Sequence, residues 1–495
     1  MRASSATRAP VSLAKVLFAC GLLAAAFVGA CNARDDRPNV LLISIDSLRA
    51  DHLGCYGYAR ATSPALDRLA RDGALFQNHC ASTSWTLPSH AALFTSLPDG
   101  IHGCTDSDRA LDGSAPTLAE RFRGAGYATA GFFSGPFLHP VFGFGRGFQS
   151  YEDCTSYGAL TNEIAPETFN GDGRLDRAAH SDVTGPRIFA ALERWFTGRP
   201  KRPFFLFVHL WDVHYDYIPP PPFDKEFDPD YTGAFTGVDF FWNSQVNPGM
   251  DPRDLQHLVA LYDGEIAWTD TFVGKIRELL ETRGLLDDTV VAVTSDHGDE
   301  FFEHGQKTHR RSLYDEVTHV PLVLRFPRRV RAGTTLRAQT RSIDVGPTLL
   351  ELAGLPAPSD VLGASLLPLV NGPPDAPGRP AVSELYTRKL DLRSVRTLRW
   401  KFVDDLRQKR SFFFDLEHDP TESIPRADFG SELGKEARAG YEREFGALTA
   451  FAAAHPSIAA ASSSGGPKPA AIQSQLKKFG YVDGEEESAP TKKDK

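Results

Sequence analysis

Acidic and imidazole side chains stand at the ends of three segments that have the pattern of buried strands. These groups are Asp46 after Asn39–Ile45, His209, Asp212 and His214 at the end of Pro203–Leu210, and Asp296 with His297 after Thr289–Thr294. Parallel α/β sheets bind ligands beyond the carboxyl ends of their strands, so these groups are predicted to share one site. Carboxylate and imidazole together suit a divalent cation: Ca²⁺, Mg²⁺ or Mn²⁺ with more oxygen ligands, Zn²⁺ with more nitrogen.

A hydroxyl nucleophile is predicted at Thr86. It precedes a Leu-Pro-Ser segment that opens an apolar helix, and proline is favourable early in a helix. Thr86 then lies at the positive end of a helix dipole, where an anionic ester can bind. The alternative is a simple helix-capping hydroxyl. We predict that Asp46, Asp296, His297 and Thr86 bind one divalent metal ion, whose identity stays open.

Six segments resemble, in the same order, the motifs of the sulfatase family of the alkaline-phosphatase superfamily. They are Asp46–Tyr58, Trp85–Ser96, Ser295–Glu300, Leu313–Leu322, Asp344–Gly354 and Phe414–Glu422. Each match alone is weak, but together they span about residues 37 to 425 in family order. The resemblance implies a metal-dependent hydrolase whose nucleophile lies at a helix N-terminus.

Three positions depart from the family motif. Thr86 stands where most sulfatases carry a cysteine, or less often a serine, that is oxidised to formylglycine. Threonine has a methyl group on Cβ and cannot give that aldehyde. His90 replaces the motif's arginine, and Ser47 replaces the second aspartate of an Asp-Asp pair. Threonine here resembles the superfamily's phosphodiesterases, phosphomonoesterases and phosphotransferases, which form a phosphothreonine intermediate.

The resemblance also implies residues that contact the anion. His214 matches the family histidine that touches the ester oxygens. His309 and Arg310, with His304 before them, lie where the family keeps a lysine or histidine near the anion. The predicted catalytic residues are therefore Thr86, His214, His309, Arg310 and His90.

A site with two metal ions, as in some phosphatases of the superfamily, needs a further aspartate and two more histidines. Asp212, His214 and His309 are candidates, but their spacing matches the two-metal pattern poorly. One metal ion is therefore predicted.

Alternating strands and helices predict an α/β fold, with a large, mostly parallel sheet sandwiched by helices and a smaller C-terminal α+β domain. Further strands are predicted at Tyr127–Phe133 and Val320–Phe326, and a long amphipathic helix from Leu255 to Leu279. The catalytic domain is predicted over residues 37–370, the small domain over 381–452 and a flexible tail over 453–495. In the small domain, Ser394–Val403 and Ser411–Leu416 are expected to form a hairpin.

A long irregular segment, Pro219–Gly249, follows a strand that bears site residues. It contains four consecutive prolines and the sequence Phe240-Phe241-Trp242. Long loops of this kind are commonly functional. The two hypotheses are a substrate lid and a packed surface insertion.

The N-terminus has the pattern of an export signal. Positive residues precede an apolar run over Val16–Ala30, which is too short for a membrane span and suits a signal peptide. Small residues before Cys31 resemble a bacterial lipobox, which implies a signal peptide over 1–30 and a lipid on Cys31. We therefore expect an exported lipoprotein at the periplasmic face of the envelope, on the outer membrane, or at the cell surface. The alternative is an ordinary signal peptide with an incidental cysteine.

Four other cysteines, Cys55, Cys80, Cys104 and Cys154, are left with their pairing open. The formal net charge of −9 argues against a nucleic-acid partner. The substrate is predicted to be an anionic ester of a small molecule, glycan or lipid, and the oligomeric state stays open.

The preferred function is phosphomonoester or phosphodiester hydrolysis through Thr86. The alternatives are sulfuric ester hydrolysis without formylglycine, transfer of a phospho-alcohol group to an envelope glycan or lipid, and a non-catalytic binding protein.

Overall fold

The computed structural model describes residues 36–155, 184–198, 200–373 and 376–459, with 462–464, 468–470, 472–473 and 476. The predicted signal peptide and Cys31 lie outside the described residues, as does most of the predicted tail.

Strands and helices alternate through the first three quarters of the chain. The described strands are β1 (Asn39–Ile45), β2 (Ala74–Cys80), β3 (Arg109–Leu111), β4 (Ala128–Phe133), β5 (Ser150–Asp153), β6 (Phe204–Leu210), β7 (Thr289–Ser295), β8 (Glu300–Phe301), β9 (Lys307–Thr308), β10 (Leu322–Arg325), β11 (Thr334–Arg341), β12 (Ala381–Tyr386), β13 (Asp391–Arg396), β14 (Trp400–Asp405), β15 (Arg410–Asp415) and β16 (Ser462–Ser464). The described helices are α1 (Pro64–Arg71), α2 (Thr86–Thr95), α3 (Asp99–His102), α4 (Leu118–Gly124), α5 (Gly185–Thr197), α6 (Phe223–Glu226), α7 (Pro252–Thr282), α8 (Asp315–Thr318), α9 (Val345–Leu352), α10 (Leu367–Val370), α11 (Glu432–Ala454) and α12 (Pro456–Ala459).

The large sheet has the strand order β11-β2-β10-β7-β1-β6-β4-β5. β1 is central and runs parallel to both β6 and β7. Of the eight strands described in this sheet, only β10 runs against its neighbours. The prediction of a mostly parallel sheet is confirmed, and the predicted strand Val320–Phe326 is this antiparallel member.

Both faces of the sheet are buried, which explains why the central strands are apolar throughout. Alternate residues of β1 enter two different cores: Val40 and Leu42 pack on one face, and Leu41 and Ile43 on the other. Helices α2, α4 and α9 cover the first face, and α1, α5 and α7 cover the second. Because successive side chains of a strand point to opposite faces of the sheet, each face packs against its own layer of helices.

A second, antiparallel sheet of order β12-β13-β14-β15 follows, with α11 packed on it through Trp400, Phe402, Phe413 and Ala437. The segment Ser394–Val403, predicted as one arm of a hairpin, holds parts of two strands, β13 and β14, and the turn between them. Within the predicted flexible tail, Ile472 and Leu476 are buried in the large core, so these two positions are packed rather than free.

No helix in the described part of the chain combines the length and the apolar character that a membrane span requires. Cys55, Cys80, Cys104 and Cys154 are all free thiols.

Candidate active site

Two adjacent strands bring three of the predicted metal ligands together. Asp46 follows β1, and Asp296 and His297 follow its neighbour β7. One ligand atom from each of the three residues lies within 4.8 Å of the other two, and all three are buried. The parallel register explains the cluster, because β1 and β7 end at the same edge of the sheet.

Thr86 enters this cluster from a helix. It is the first residue of α2, and its Oγ1 lies 3.5 Å from Asp46 Oδ2 and 3.3 Å from His297 Nε2. Pro88, in the first turn, lacks only an N–H that would have no partner in the helix. The ten-residue helix therefore directs its positive end at the pocket.

The carboxylates of the cluster carry excess negative charge. Burial raises the pKa of Asp46 to about 6, and burial together with the Asp46 charge raises the pKa of Asp296. Although burial opposes it, the charges of Asp296 and Asp46 raise the pKa of His297. Within the described residues, no lysine or arginine forms an ion pair with either carboxylate.

A buried acceptor shows where a cation fits. Asp296 Oδ2 receives no hydrogen bond from any residue that the structure describes, and its nearest imidazole nitrogens, His297 Nε2 and His90 Nδ1, lie 3.4 and 3.6 Å away. A buried carboxylate oxygen without a hydrogen bond is costly. The donor set of two carboxylates, an imidazole and a hydroxyl suits a divalent cation. The residues present therefore fit the metal ion that the sequence predicts, without fixing its identity.

Ser47 and His209 complete the cluster. Ser47, at a φ of 54°, donates its backbone N–H to Asp296 Oδ1 and its hydroxyl to Asp46 Oδ1, at 3.2 and 2.9 Å. His209, in β6, places Nε2 3.3 Å from Asp46 Oδ2. The sequence predicted from its strand-end position that His209 shares this site, but gave it no ligand or catalytic role, and it noted Ser47 only as a departure from the family motif.

His90 lies beneath the cluster. Its ring is fully buried, with Nδ1 3.0 Å from the Thr86 carbonyl and Nε2 3.0 Å from Ser44 Oγ. Because both ring nitrogens are engaged within the protein, His90 is placed to orient Thr86 and does not reach an ester in the pocket. The sequence placed His90 at the position of the motif's arginine and among the catalytic residues, which stays a prediction, and these contacts favour a positioning role.

An open pocket lies above Thr86. Its walls are Gly135, Pro136, Phe137, Trp211 and His214, its floor is formed by Asp46 and Thr86, and its empty volume is about 210 Å³. The pocket thus joins the charged floor to a largely apolar wall, which suits an anionic group attached to a carbon framework.

His214 and His309 stand together beside this pocket, with ring centroids 5.1 Å apart. His214 Nδ1 donates to the Tyr215 carbonyl at 2.6 Å, and His309 Nδ1 lies 2.7 Å from Asp299 Oδ1. Burial lowers the pKa of both histidines, which favours their neutral forms. The sequence missed Asp299, which also accepts a hydrogen bond from Tyr217.

Arg310 lies at the edge of the site. Its guanidinium is 4.3 Å from the centre of the Trp85 ring and 3.1 Å from Asp106 Oδ1. Its charge is paired with Asp106, and it is not among the residues that line the pocket. The structure thus brings His214 and His309 together near Thr86 and His297, whereas Arg310 stacks on Trp85.

Asp212 is committed elsewhere. Its carboxylate accepts hydrogen bonds from the Thr184 and Gly185 backbone N–H groups at the start of α5, and from Trp268 Nε1. It is therefore placed to stabilise that helix end, and it does not supply the second metal site considered from the sequence.

Comparisons with known proteins identify similar chains. A family model described as Sulfatase matches residues 38–355, and one described as N-sulphoglucosamine sulphohydrolase, C-terminal, matches residues 303–426. A delta 4,5-hexuronate-2-O-sulfatase of Bacteroides thetaiotaomicron is 24% identical over 437 residues, which cover 80% of this chain and 86% of that protein. An N-acetylglucosamine-6-O-sulfatase of the same organism is 24% identical over 405 residues, covering 68% and 71%. The crystal structure of the phosphonate monoester hydrolase of Agrobacterium radiobacter matches with a TM-score of 0.67 at 25% identity, covering 85% and 96%.

Proposed function

Because this chain belongs to the sulfatase family, we propose that it hydrolyses phosphate esters by direct nucleophilic attack of Thr86. The chain is a hydrolase of sulfuric or phosphoric esters, and the preference for phosphate is the proposed part. The observation that carries it is the threonine itself, which lies at the N-terminus of α2 within 3.5 Å of Asp46 and His297.

Asp46, Asp296, His297 and Thr86 would hold one divalent cation. When bound, the cation neutralises the buried carboxylates, polarises the ester and favours ionisation of the Thr86 hydroxyl. Asp296 Oδ2 supports this assignment, because it accepts no hydrogen bond within the described residues.

The covalent step uses this chain's own residues. Thr86 releases its hydroxyl proton to water, Oγ1 forms a bond to phosphorus, and the bond from phosphorus to the ester oxygen breaks. The helix dipole stabilises the anionic group during the attack. Water then attacks the phosphothreonine, so that phosphate leaves and the Thr86 hydroxyl is restored.

The leaving oxygen needs a proton, and two histidines are placed to provide one. An anionic ester in the pocket places negative charge against His214 and His309, which favours their protonated forms. The Asp299 carboxylate orients His309 and stabilises its positive charge. These histidines therefore change from neutral groups to proton donors when substrate binds.

The chemistry of threonine sets the preference. A phosphothreonine is cleaved by water at phosphorus, whereas a sulfothreonine lacks the second hydroxyl with which a formylglycine hydrate expels sulfate by elimination. Sulfate ester hydrolysis is nevertheless the second candidate, because the similar Bacteroides proteins are named as sulfatases of carbohydrate esters. In both cases we infer a carbohydrate alcohol as the leaving group.

The test is a set of aryl phosphate, bis-aryl phosphodiester and aryl sulfate substrates, assayed with the wild type and with Thr86 variants. Thr86→Ala should lose at least about 10³-fold in kcat/KM, equivalent to about 4 kcal/mol, while Thr86→Ser keeps part of the rate. Thr95→Ala, on the same helix, is the control and should retain activity. Release of inorganic phosphate in the presence of added alcohol separates hydrolysis from transfer. Faster turnover of aryl sulfate, or an active Thr86→Ala enzyme, would contradict the proposal.

We also propose that a lipid on Cys31 anchors the enzyme to the bacterial envelope. The support is the sequence pattern of a charged start, a short apolar run and small residues before the cysteine. Cys31→Ser should give an unprocessed or soluble form in a membrane-partitioning assay, and unchanged partitioning and gel mobility would refute the anchor.

A further inference from the structure

Exposed apolar side chains concentrate on one segment next to the pocket. In the described part of the chain, the exposed large hydrophobic residues are Val238, Trp242, Leu406 and Ile424. Two of these lie within Pro219–Gly249, and Trp242 is 58% exposed. Tryptophan combines a large apolar face with a polar N–H, which suits a binding surface.

A chain of aromatic contacts joins Trp242 to the active site. Its ring meets Phe241 edge-on at 4.6 Å, and Phe241 stacks on Tyr215 at 5.6 Å with an interplanar angle of 12°. Tyr215 in turn contacts the rings of His214 and His309, at 4.2 and 5.3 Å. The exposed indole is therefore continuous with the histidines beside the pocket.

The segment that carries Trp242 is held in place by hydrogen bonds. The ammonium group of Lys307 donates to the backbone carbonyls of Phe240, Asn243 and Val246, at 2.8, 3.1 and 2.8 Å. The Phe240 N–H donates to Asp216 Oδ1 at 2.8 Å. Hydrogen bonds thus hold the backbone on both sides of Trp242. A ligand that stacks on the indole therefore loses little binding free energy to ordering of this segment.

A positive charge lies on the same surface. The exposed guanidinium of Arg311 is 5.3 Å from the centre of the Phe241 ring. An aromatic face beside an arginine suits a ligand that combines C–H faces with negative charges.

We propose that Phe241, Trp242 and Arg311 form an aromatic platform that binds a sugar ring of an anionic carbohydrate substrate, outside the pocket that holds its ester group. The inference rests on the proposed function and names the substrate class of that site. The pocket is open to solvent above Thr86 and is lined by only seven residues, so the part of a glycan beyond its ester group extends over the surrounding surface. The neighbours Ser244 and Gln245 are exposed and polar, which favours a sugar over a lipid surface.

The experiment compares a small and a large substrate. Aryl phosphate and aryl sulfate fill only the pocket, whereas phosphorylated or sulfated N-acetylglucosamine tetrasaccharides also reach the platform. Trp242→Ala should raise KM for the tetrasaccharide about tenfold and leave kcat/KM for the aryl esters within twofold. Trp242→Phe should recover part of the loss, and Arg311→Gln should give a smaller loss that decreases with added salt. Ile424→Ala, another exposed apolar position, is the matched control and should change neither substrate.

Binding is also measured directly, by calorimetry with the same tetrasaccharides and with vesicles containing anionic lipid. Tetrasaccharide affinity should fall in Trp242→Ala, while vesicle binding does not change. The platform is refuted if the wild type binds no tetrasaccharide, if Trp242→Ala affects small and large substrates equally, or if only vesicle binding falls. Absence of aryl ester turnover in the wild type would instead refute the proposed function, because these small esters do not use the platform.

Discussion

Two clusters of carboxylates and histidines show how similar ligand geometry can serve different purposes. Asp46, Asp296 and His297 form one, and His304, Glu316 and Glu422 form the other. In each, one ligand atom per residue lies within 4.8 Å of the others. By proximity alone, both clusters have the geometry of a metal site.

The second cluster already contains its cations. Lys401, buried in the small domain, places Nζ 2.8 Å from Glu422 Oε1 and 3.0 Å from Asp315 Oδ1. Although burial opposes it, these carboxylates raise the pKa of Lys401, so its ammonium stays charged. His304 pairs with Glu316 at 3.3 Å and stacks on Tyr314.

The first cluster has no such compensation from lysine or arginine in the described chain, where only the histidines His90, His209 and His297 lie near its carboxylates. Comparison of the two clusters indicates that a metal site is identified by carboxylates that lack a neighbouring lysine or arginine, more than by short distances between ligand atoms. The second cluster instead joins the large sheet domain to the small one by ion pairs.

The largest effect is expected from removing one carboxylate of the first cluster. Asp296→Ala should abolish bound metal and lower kcat/KM by at least about 10³-fold, because a ligand and the charge that holds the cation are lost together. Glu316→Ala is the matched change in the second cluster and should leave metal content and activity within twofold. Elemental analysis and aryl ester assays measure both. Equal metal loss in the two variants would break the distinction between the clusters.

The next effect concerns stability. Lys401→Met should lower the free energy of unfolding by about 3–5 kcal/mol, because it leaves Asp315 and Glu422 buried with less positive charge. Urea denaturation measures the loss, and metal content should not change. Adding Glu422→Gln should restore part of the stability. A Lys401→Met protein that unfolds like the wild type would show that the second cluster does not join the domains.

The smallest effect is a pH dependence of the metal-free protein. Burial raises the pKa of Asp46 from 3.8 to about 6, so between these values the folded state binds a proton that the unfolded chain releases. Protonation of Asp46 therefore adds fully to the free energy of unfolding below pH 3.8, and this contribution is lost as the pH rises through about 6. Its upper limit is about 3 kcal/mol.

Urea denaturation in the presence of a chelator, from pH 4 to 7, tests this slope. Asp46→Asn carries no such charge and should lack this contribution. Saturating metal should also remove it, because the cation holds Asp46 ionised. An unchanged slope in Asp46→Asn would assign the pH dependence to other groups.

The sequence was most informative where apolar runs end in polar residues. The segments Asn39–Ile45, Pro203–Leu210 and Thr289–Thr294 predicted three central strands almost to the residue, and their ends located Asp46, Asp296 and His297. This worked because a strand buried on both faces has a nearly continuous apolar run, and because parallel strands bring their ends to one edge.

Other features could not be read from local pattern. The antiparallel direction of β10 could not be predicted from the sequence, because a buried strand has the same composition whichever way it runs. The small-domain strands β13 and β14 merged into one predicted segment because their turn carries no glycine or proline. The contacts of His90 and Asp212 depend on tertiary neighbours distant in sequence, such as Ser44 and Thr184, so their roles required the assembled fold.

The strand order also constrains when the enzyme can acquire its metal during synthesis. Asp46 and His297 are neighbours across the sheet but are separated by about 250 residues of chain, and Thr86 joins them from between. At typical elongation rates of about 5–20 residues per second, tens of seconds pass between the synthesis of the first ligand and the last. A nascent chain that ends before β7 carries only part of the ligand set. The cation can therefore stabilise the fold only after more than half of the protein has been made.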